Sequence, residues 1–176
     1  MIQPSFQFCP RCAGKLIVVT KETTPVHQCS SCGFVLYQNQ NVTTAAIIIR
    51  DGKLLFTRRK VAPYLGMLDL AGGYVEPQES PQAGMKRELR EELGVDGTIM
   101  AQLGVFGPDA YEFGGMTVYN STAFFQVNIG NQTPIAADDA ESLEWHDLGT
   151  LDLTTVAFPG QRECLSLIAN STIALL

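Results

Sequence analysis

Two sets of side chains in this sequence have the types and spacing to do chemistry. The first is the glutamate group in the run Arg87-Glu-Leu-Arg-Glu-Glu-Leu-Gly-Val95. On a helix, residues three and four apart share a face, so Glu88, Glu91 and Glu92 project to one side. Like charges at that spacing destabilise a bare helix, and they need a cation or an arginine beside them. Hard oxygen ligands on a rigid helix suit Mg²⁺ or Mn²⁺. Mg²⁺ binds through few carboxylates together with waters and substrate phosphates, which points to phosphate chemistry. Lys86 and Arg87 are the nearby cations, and Arg87 is spaced to pair with Glu79 and hold the preceding loop against the helix. Taken without context, the three glutamates would also fit a solvated acidic face.

The second set is cysteine. Cys9-Pro-Arg-Cys12 and Cys29-Ser-Ser-Cys32 are two C-x-x-C pairs separated by 16 residues. That spacing fits a four-cysteine Zn²⁺ site, in which each tight turn aims two sulfurs at one ion. Four thiolates close the coordination shell, so the metal is structural. A redox pair is the weaker reading, because there are two pairs and no βαβ context. Gly14 and Gly33 follow the pairs where the turns must relax, and β-rich runs at 15–21 and 34–37 make short hairpins for the metal to clamp. His27 reads as an ordinary surface histidine, since the cysteine set is already complete. Cys164 reads as a buried helix residue.

These groups need elements to position them. Residues 42–50 read as a buried strand, Asp51-Gly52 as a hairpin turn and residues 53–58 as the returning strand. Ser80-Pro81 starts a helix that runs to about Leu93 and stops at Gly94. Met85, Leu89 and Leu93 form its core-facing stripe. Strands are expected near 98–106, 116–128 and 142–148, and a closing helix begins at Pro159. Strands before and after a central helix give a mixed α/β layered domain. The polar run Gln38-Asn-Gln-Asn41 marks a boundary, predicting a zinc ribbon over residues 1–38 and a second domain over 39–176.

The whole chain has 176 residues, 45% hydrophobic and 17% charged, which excludes a disordered chain. A net charge of −6 makes it a poor general partner for nucleic acid or anionic membrane. The first 38 residues carry only Arg11, Lys15 and Lys21 as basic side chains, against Glu22. No run reaches the ~18 apolar residues of a membrane span, and no secretory signal is visible. Cytoplasmic residence is therefore the expectation.

The string from Gly73 to Val95 resembles the Nudix box, G-x5-E-x7-R-E-U-x-E-E-x-G-U with U apolar. Gly73, Glu79, Arg87, Glu88, Leu89, Glu91, Glu92, Gly94 and Val95 occupy its fixed positions. The resemblance implies an α/β/α sandwich with a mixed sheet. It also implies a divalent-metal-dependent hydrolase that cleaves the pyrophosphate of a nucleoside diphosphate linked to a further group. By the same resemblance Glu88 and Glu92 are the principal Mg²⁺ or Mn²⁺ ligands, and Glu91 is a further ligand or positions water. The carbonyl of Gly72 or Gly73 completes a metal shell, and Glu79 with Arg87 braces the box. Glu141 and Glu144 are the candidates for an acidic base outside the box. Arg58 is the candidate phosphate contact, with Arg59 its competitor. Tyr111 and Phe113, taken to lie in a loop after the box, are candidates to stack on a nucleobase, and Tyr64, Tyr74 and Tyr119 are further aromatics.

A zinc ribbon ahead of such a domain is similar to the NADH pyrophosphatase group and related ADP-ribose and FAD pyrophosphatases. The chain lacks the S-Q-P-W-P-F-P run of NADH pyrophosphatases, having Gly104-Val-Phe-Gly-Pro-Asp-Ala-Tyr111 there, and it has Ala71 where proline often precedes the glycine pair. A homodimer, and a ribbon-led binding module with a nucleotide-sensing domain, stay open as alternatives.

Overall fold

Residues 45–48 are four consecutive apolar side chains and all are buried, so the strand carrying them is covered on both faces. The computed structural model describes residues 6–176. That strand, β4 (Asn41–Arg50), lies in a six-stranded sheet with β5 (Lys53–Arg59), β6 (Leu68–Asp69), β7 (Thr98–Phe113), β8 (Met116–Asn128) and β9 (Ala140–His146). The path runs β6-β5-β4-β8-β7, and β9 pairs with β5. β4 is parallel to β8 and antiparallel to β5, so the sheet is mixed. Helix α1 (Pro81–Leu93) covers one face and α2 (Pro159–Ala169) the other. Alternate residues feed the two cores. Ala46, Ile48, Leu55 and Phe125 pack with Met85, Leu89 and Leu93 of α1. Ala45, Ile47, Phe56 and Phe124 pack with Cys164 and Leu165 of α2. This is the α/β/α sandwich that the resemblance implied.

The β4–β5 hairpin opens beyond its turn, since its register pairs only Ile49 with Leu54 and Arg50 with Lys53. Further along, the edge of β4 is taken by the chain that follows β6. Ala46 N–H donates to Ala71 O, Thr44 N–H to Gly73 O and Val75 N–H to Val42 O. A glycine pair is needed at this insertion. Gly72 has φ 151°, and a Cβ there would lie 2.1 Å from the Thr44 carbonyl oxygen. The split hairpin thus sets the glycine pair against the sheet and beside α1.

α1 has the ends expected of it. Ser80 caps it through its hydroxyl, which accepts from Ala83 N–H, Pro81 opens it, and Gly94 closes it at φ 65°. Met85, Leu89 and Leu93 are fully buried. β7 departs from the expected 98–106. It runs on to Phe113, because Gly104 and Gly107 sit at register shifts rather than ending the strand. Tyr111 and Phe113 are therefore strand residues, not loop residues.

Before β4 lies a separate three-stranded sheet of β1 (Leu16–Lys21), β2 (Thr24–Cys29) and β3 (Val35–Leu36). Its core is small: Cys9, Leu16 and Cys29, with Phe6, Phe34 and Leu36 packed against them. His27 departs from expectation, being 2% exposed and edge-on to Phe6. Its neighbours on β2 explain this, because Val26 and Cys29 are buried as well. No helix of the described residues is long and apolar enough to cross a membrane.

Candidate functional site

Arg87 organises the acidic face of α1. Its Nη2 donates to Glu79 Oε1 at 2.7 Å and to the Tyr74 carbonyl at 2.8 Å. Its Nη1 donates to Glu88 Oε1 at 2.8 Å and to Glu91 Oε2 at 2.7 Å. One guanidinium therefore pins the loop to the helix and offsets two of the three clustered glutamates. Glu79 also accepts from the Glu76 N–H. Arg87 holds the Glu79 carboxyl below the usual carboxylate range. Gly84 lets Glu79 come this close, since a Cβ there would meet its Oε1 at 2.8 Å.

Glu92 has no such partner among the described residues. Its Oε2 accepts from the Gly72 N–H at 2.9 Å, and none of their cationic side chains pairs with it. Burial pushes its carboxyl well above the usual range, and the charges of Asp69, Glu88 and Asp139 push the same way. Glu88 is also raised, chiefly by burial, against the pull of Arg87. A desolvated carboxylate among like charges gains strongly from a cation, and an all-oxygen donor set fits a hard divalent ion. Gly73 packs on the same group, since a Cβ there would stand 2.5 Å from Glu88 Oε1. The Gly73 carbonyl accepts from Thr44 N–H, which leaves the Gly72 carbonyl as the freer oxygen donor.

Beside Glu92 opens a cleft of about 160 Å³. Gly72, Gly73 and Glu92 line one part; Tyr74, Tyr111 and Phe158 line another. The two arginine candidates separate here. Arg59 lines the cleft, with Nη1 on Asp69 Oδ2 at 2.5 Å and its guanidinium 5.1 Å over the Phe158 ring. Arg58 turns away. It donates to Glu144 Oε1 at 2.6 Å and to the Gly66 carbonyl. Glu144 also meets His146 Nε2 at 3.0 Å, while Glu141 is exposed, and neither glutamate lines the cleft. The acids that do line it outside α1 are Asp69, Asp109 and Asp139.

Tyr111 reaches the cleft from β7. Its hydroxyl bonds the Tyr74 hydroxyl at 2.8 Å and accepts from Asn120 Nδ2 at 2.9 Å. Burial, with the bond to Tyr74, pushes its phenol up to about 12. Tyr64 packs edge-on to Phe158 outside this hydroxyl pair, and Phe113 and Tyr119 do not line the cleft. Sequence reasoning missed Asp69, Asp109, Asn120, Asp139, Phe158 and Gln161. They come from scattered strands, a loop and the start of α2, with no shared spacing to mark them. The pairing of Thr57 with Asp69 across β5 and β6 is a contact that no local pattern announces.

At the other end of the chain, the Sγ atoms of Cys9, Cys12, Cys29 and Cys32 all lie within 4.8 Å of one another. Cys9 and Cys32 stand 3.8 Å apart, Cys12 and Cys29 3.5 Å. A tetrahedral ion with Zn–S bonds of ~2.3 Å needs sulfur–sulfur edges of about 3.8 Å, so the set fits. The Cys32 and Ser31 N–H groups donate to Cys29 Sγ, and with the Cys32 bond foremost they bring that thiol down to about 6. Gly14 allows the close approach, since a Cβ would lie 3.1 Å from Cys29 Sγ. Among the described residues, no group of carboxylates closes to the same distance. Arg87 draws Glu88 and Glu91 toward itself, and the remaining charges repel.

The family model described as NUDIX domain matches residues 40–168, and the chain belongs to that family of hydrolases. The chain is 34% identical over 116 residues to an ADP-ribose pyrophosphatase of Methanocaldococcus jannaschii, covering 66% of this chain and 67% of that protein. It is 25% identical over 146 residues to the NAD-capped RNA hydrolase NudC of Pseudomonas aeruginosa, covering 82% of this chain but 49% of that one. The chain thus spans about half the length of that relative. Its fold is similar to a NUDIX hydrolase from Nitrosomonas europaea, with a TM-score of 0.77, 22% identity and cover of 94% and 92% of the two chains.

Proposed function

We propose that this Nudix hydrolase cleaves the pyrophosphate bond of a nucleoside diphosphate linked to a further group, of ADP-ribose, NADH or FAD type, with Mg²⁺ or Mn²⁺. The observation that carries the reading is Glu92, half-buried beside the Gly72 backbone with no cationic partner among the described residues, lining a cleft that Tyr74, Tyr111 and Phe158 also line. The names of the Methanocaldococcus and Pseudomonas relatives support the substrate class.

Glu88, Glu92 and the Gly72 carbonyl would hold the divalent ion, with Glu91 a further ligand or a water-positioning group. Such an ion supplies charge neutralisation at the phosphate oxygens and lowers the pKa of bound water. A water oxygen attacks one phosphorus, the bridging P–O bond breaks, and the bridging oxygen leaves on the other phosphate. Two phosphate monoesters result. The water's proton passes to an acid outside the box. Glu141 and Glu144 are less well placed for this than Asp139, which lines the cleft and whose charge acts on Glu92. Glu144 is held by Arg58. Arg59, not Arg58, is the cation that meets the substrate.

We propose that residues 1–38 form a Zn²⁺ ribbon whose metal replaces a hydrophobic core, and that residues 39–176 form the hydrolase domain. Reduced thiols at the four ligands suit a cytoplasmic setting. The test is a panel of ADP-ribose, NADH, FAD and dinucleoside polyphosphates with Mg²⁺ and with Mn²⁺, reading AMP release by chromatography. AMP from at least one of them, dependent on the divalent ion, is expected. No turnover anywhere on the panel would exclude this substrate class.

A further inference from the structure

Gln161, near the start of α2, is 5% exposed and lines the cleft. Its Nε2 donates to Asp69 Oδ1 at 2.5 Å. Asp69 is itself fixed, with Leu70 N–H on Oδ1 at 2.8 Å and Arg59 on Oδ2. A carboxylate only accepts hydrogen bonds, so the amide nitrogen must face Asp69. That orientation turns the Gln161 Oε1 away from Asp69, and it is buried with no hydrogen-bond partner among the described residues. Buried polar atoms without partners are uncommon and costly, and one on a side chain that lines a cleft points to a ligand that supplies the missing bond.

The chemistry of that ligand follows from the acceptor. Oε1 needs an N–H or O–H donor. The carboxylates of Asp109 and Asp139 line the same cleft as further acceptors, with the Arg59 guanidinium and the Asn120 amide as its donors. Phe158 and Tyr111, with ring centroids 5.9 Å apart, supply apolar walls. The volume, about 160 Å³, is comparable with the ~150 Å³ cavity that holds a benzene ring. A flat heterocycle carrying an exocyclic amine satisfies each of these conditions. An oxo base would set its carbonyl oxygen against Oε1, with two acceptors facing and neither satisfied.

We propose that Gln161 reads the exocyclic amino group of the substrate's nucleobase, so that the site takes amino bases of the adenine or cytosine type and rejects their oxo counterparts. Asp69 and Arg59 act as positioning residues that hold the amide in its reading orientation. The inference rests on the nucleotide reading above and adds the base to it.

The test compares matched pairs that differ in this one group: ADP-ribose with its hypoxanthine analogue for kcat/KM, and AMP with IMP for equilibrium binding by calorimetry. In the unaltered enzyme the amino form is expected to be favoured by about tenfold or more, the cost of leaving one buried acceptor unpaired. Gln161→Met is expected to bring the ratio toward one. Asp69→Asn provides a second route, because an amide at 69 lets the Gln161 side chain turn over and present its N–H. It is expected to relax or invert the preference. A merely structural role for Gln161 would lower both members of a pair together. No preference in the unaltered enzyme, or a full preference retained by folded Gln161→Met, would overturn the proposal. If no pair turned over, the proposed reaction would fail, and the AMP-to-IMP binding ratio would still decide the base reading.

Discussion

Arg87 and Glu92 divide the acidic helix face between them. Arg87 binds Glu79, Glu88 and Glu91, while among the described residues Glu92 has only the Gly72 N–H. Removing Arg87 should therefore loosen the loop and leave three carboxylates without a counter-charge. Its effect should also depend on pH. The Glu79 carboxyl is held below its ordinary value in the folded state, so its pairing stabilises fully above the unfolded pKa of ~4.3 and is lost as pH falls through the lower folded value. Urea unfolding of Arg87→Met and the parent across pH 7 to 3 should show the difference shrinking in that acid window. A difference independent of pH would contradict the pairing. Glu92 has the opposite sign, since at its raised carboxyl the proton competes with the divalent ion for the same oxygens. The thermal stabilisation by Mg²⁺ should accordingly weaken as pH falls.

At the scale of elements, the split β4–β5 hairpin and the glycine pair that enters it decide whether the site forms. The 2.1 Å approach of a Cβ at Gly72 to the Thr44 carbonyl leaves no room for a side chain. Gly72→Ala should cost about 3 kcal/mol or more in equilibrium unfolding, as severe backbone conflict does. A loss under ~1 kcal/mol would show that the loop can move aside. Leu89→Ala, which empties part of the core beneath α1, should cost about 2–5 kcal/mol. Much of this scale was legible in the amino-acid pattern. Ser80-Pro81 and Gly94 marked both ends of α1 because capping chemistry is local, and Asp51-Gly52 marked the hairpin for the same reason. β7 was underestimated because Gly104 and Gly107 usually punctuate and here shift register instead. The opening of the hairpin left no local trace, since it depends on a segment some twenty residues downstream filling the edge.

The whole molecule joins a three-stranded sheet beside a four-cysteine cluster to a sandwich with its own two cores. Among the described residues the small sheet's buried cluster is Cys9, Leu16 and Cys29, too few to hold it alone, and the proposed ion would supply the rest. Chelation of Zn²⁺ should unfold residues 9–36 by amide NMR while the shifts of the sandwich persist. Loss of both together would mean that the two are not separable. The cysteine site was readable in full because four like ligands at turn spacing are rare by chance. The box was readable because nine positions over 23 residues recur together. The cleft was not readable, because Asp69, Asn120 and Gln161 meet only through the packing of α2 and β8 around the split sheet. His27 was misplaced because a lone histidine carries no pattern that distinguishes the surface from a small core.

On the proposed reading Glu92 holds the catalytic cation. The rate of ADP-ribose hydrolysis with Mg²⁺ by the parent and by Glu92→Gln, with folding checked by thermal unfolding, tests this role. The substitution keeps the shape and the Gly72 N–H acceptor and removes the charge. The expected result is a folded protein whose kcat falls by more than about a hundredfold and whose Mg²⁺-dependent gain in melting temperature is lost. A folded Glu92→Gln enzyme with the parent's rate and Mg²⁺ response would contradict the account.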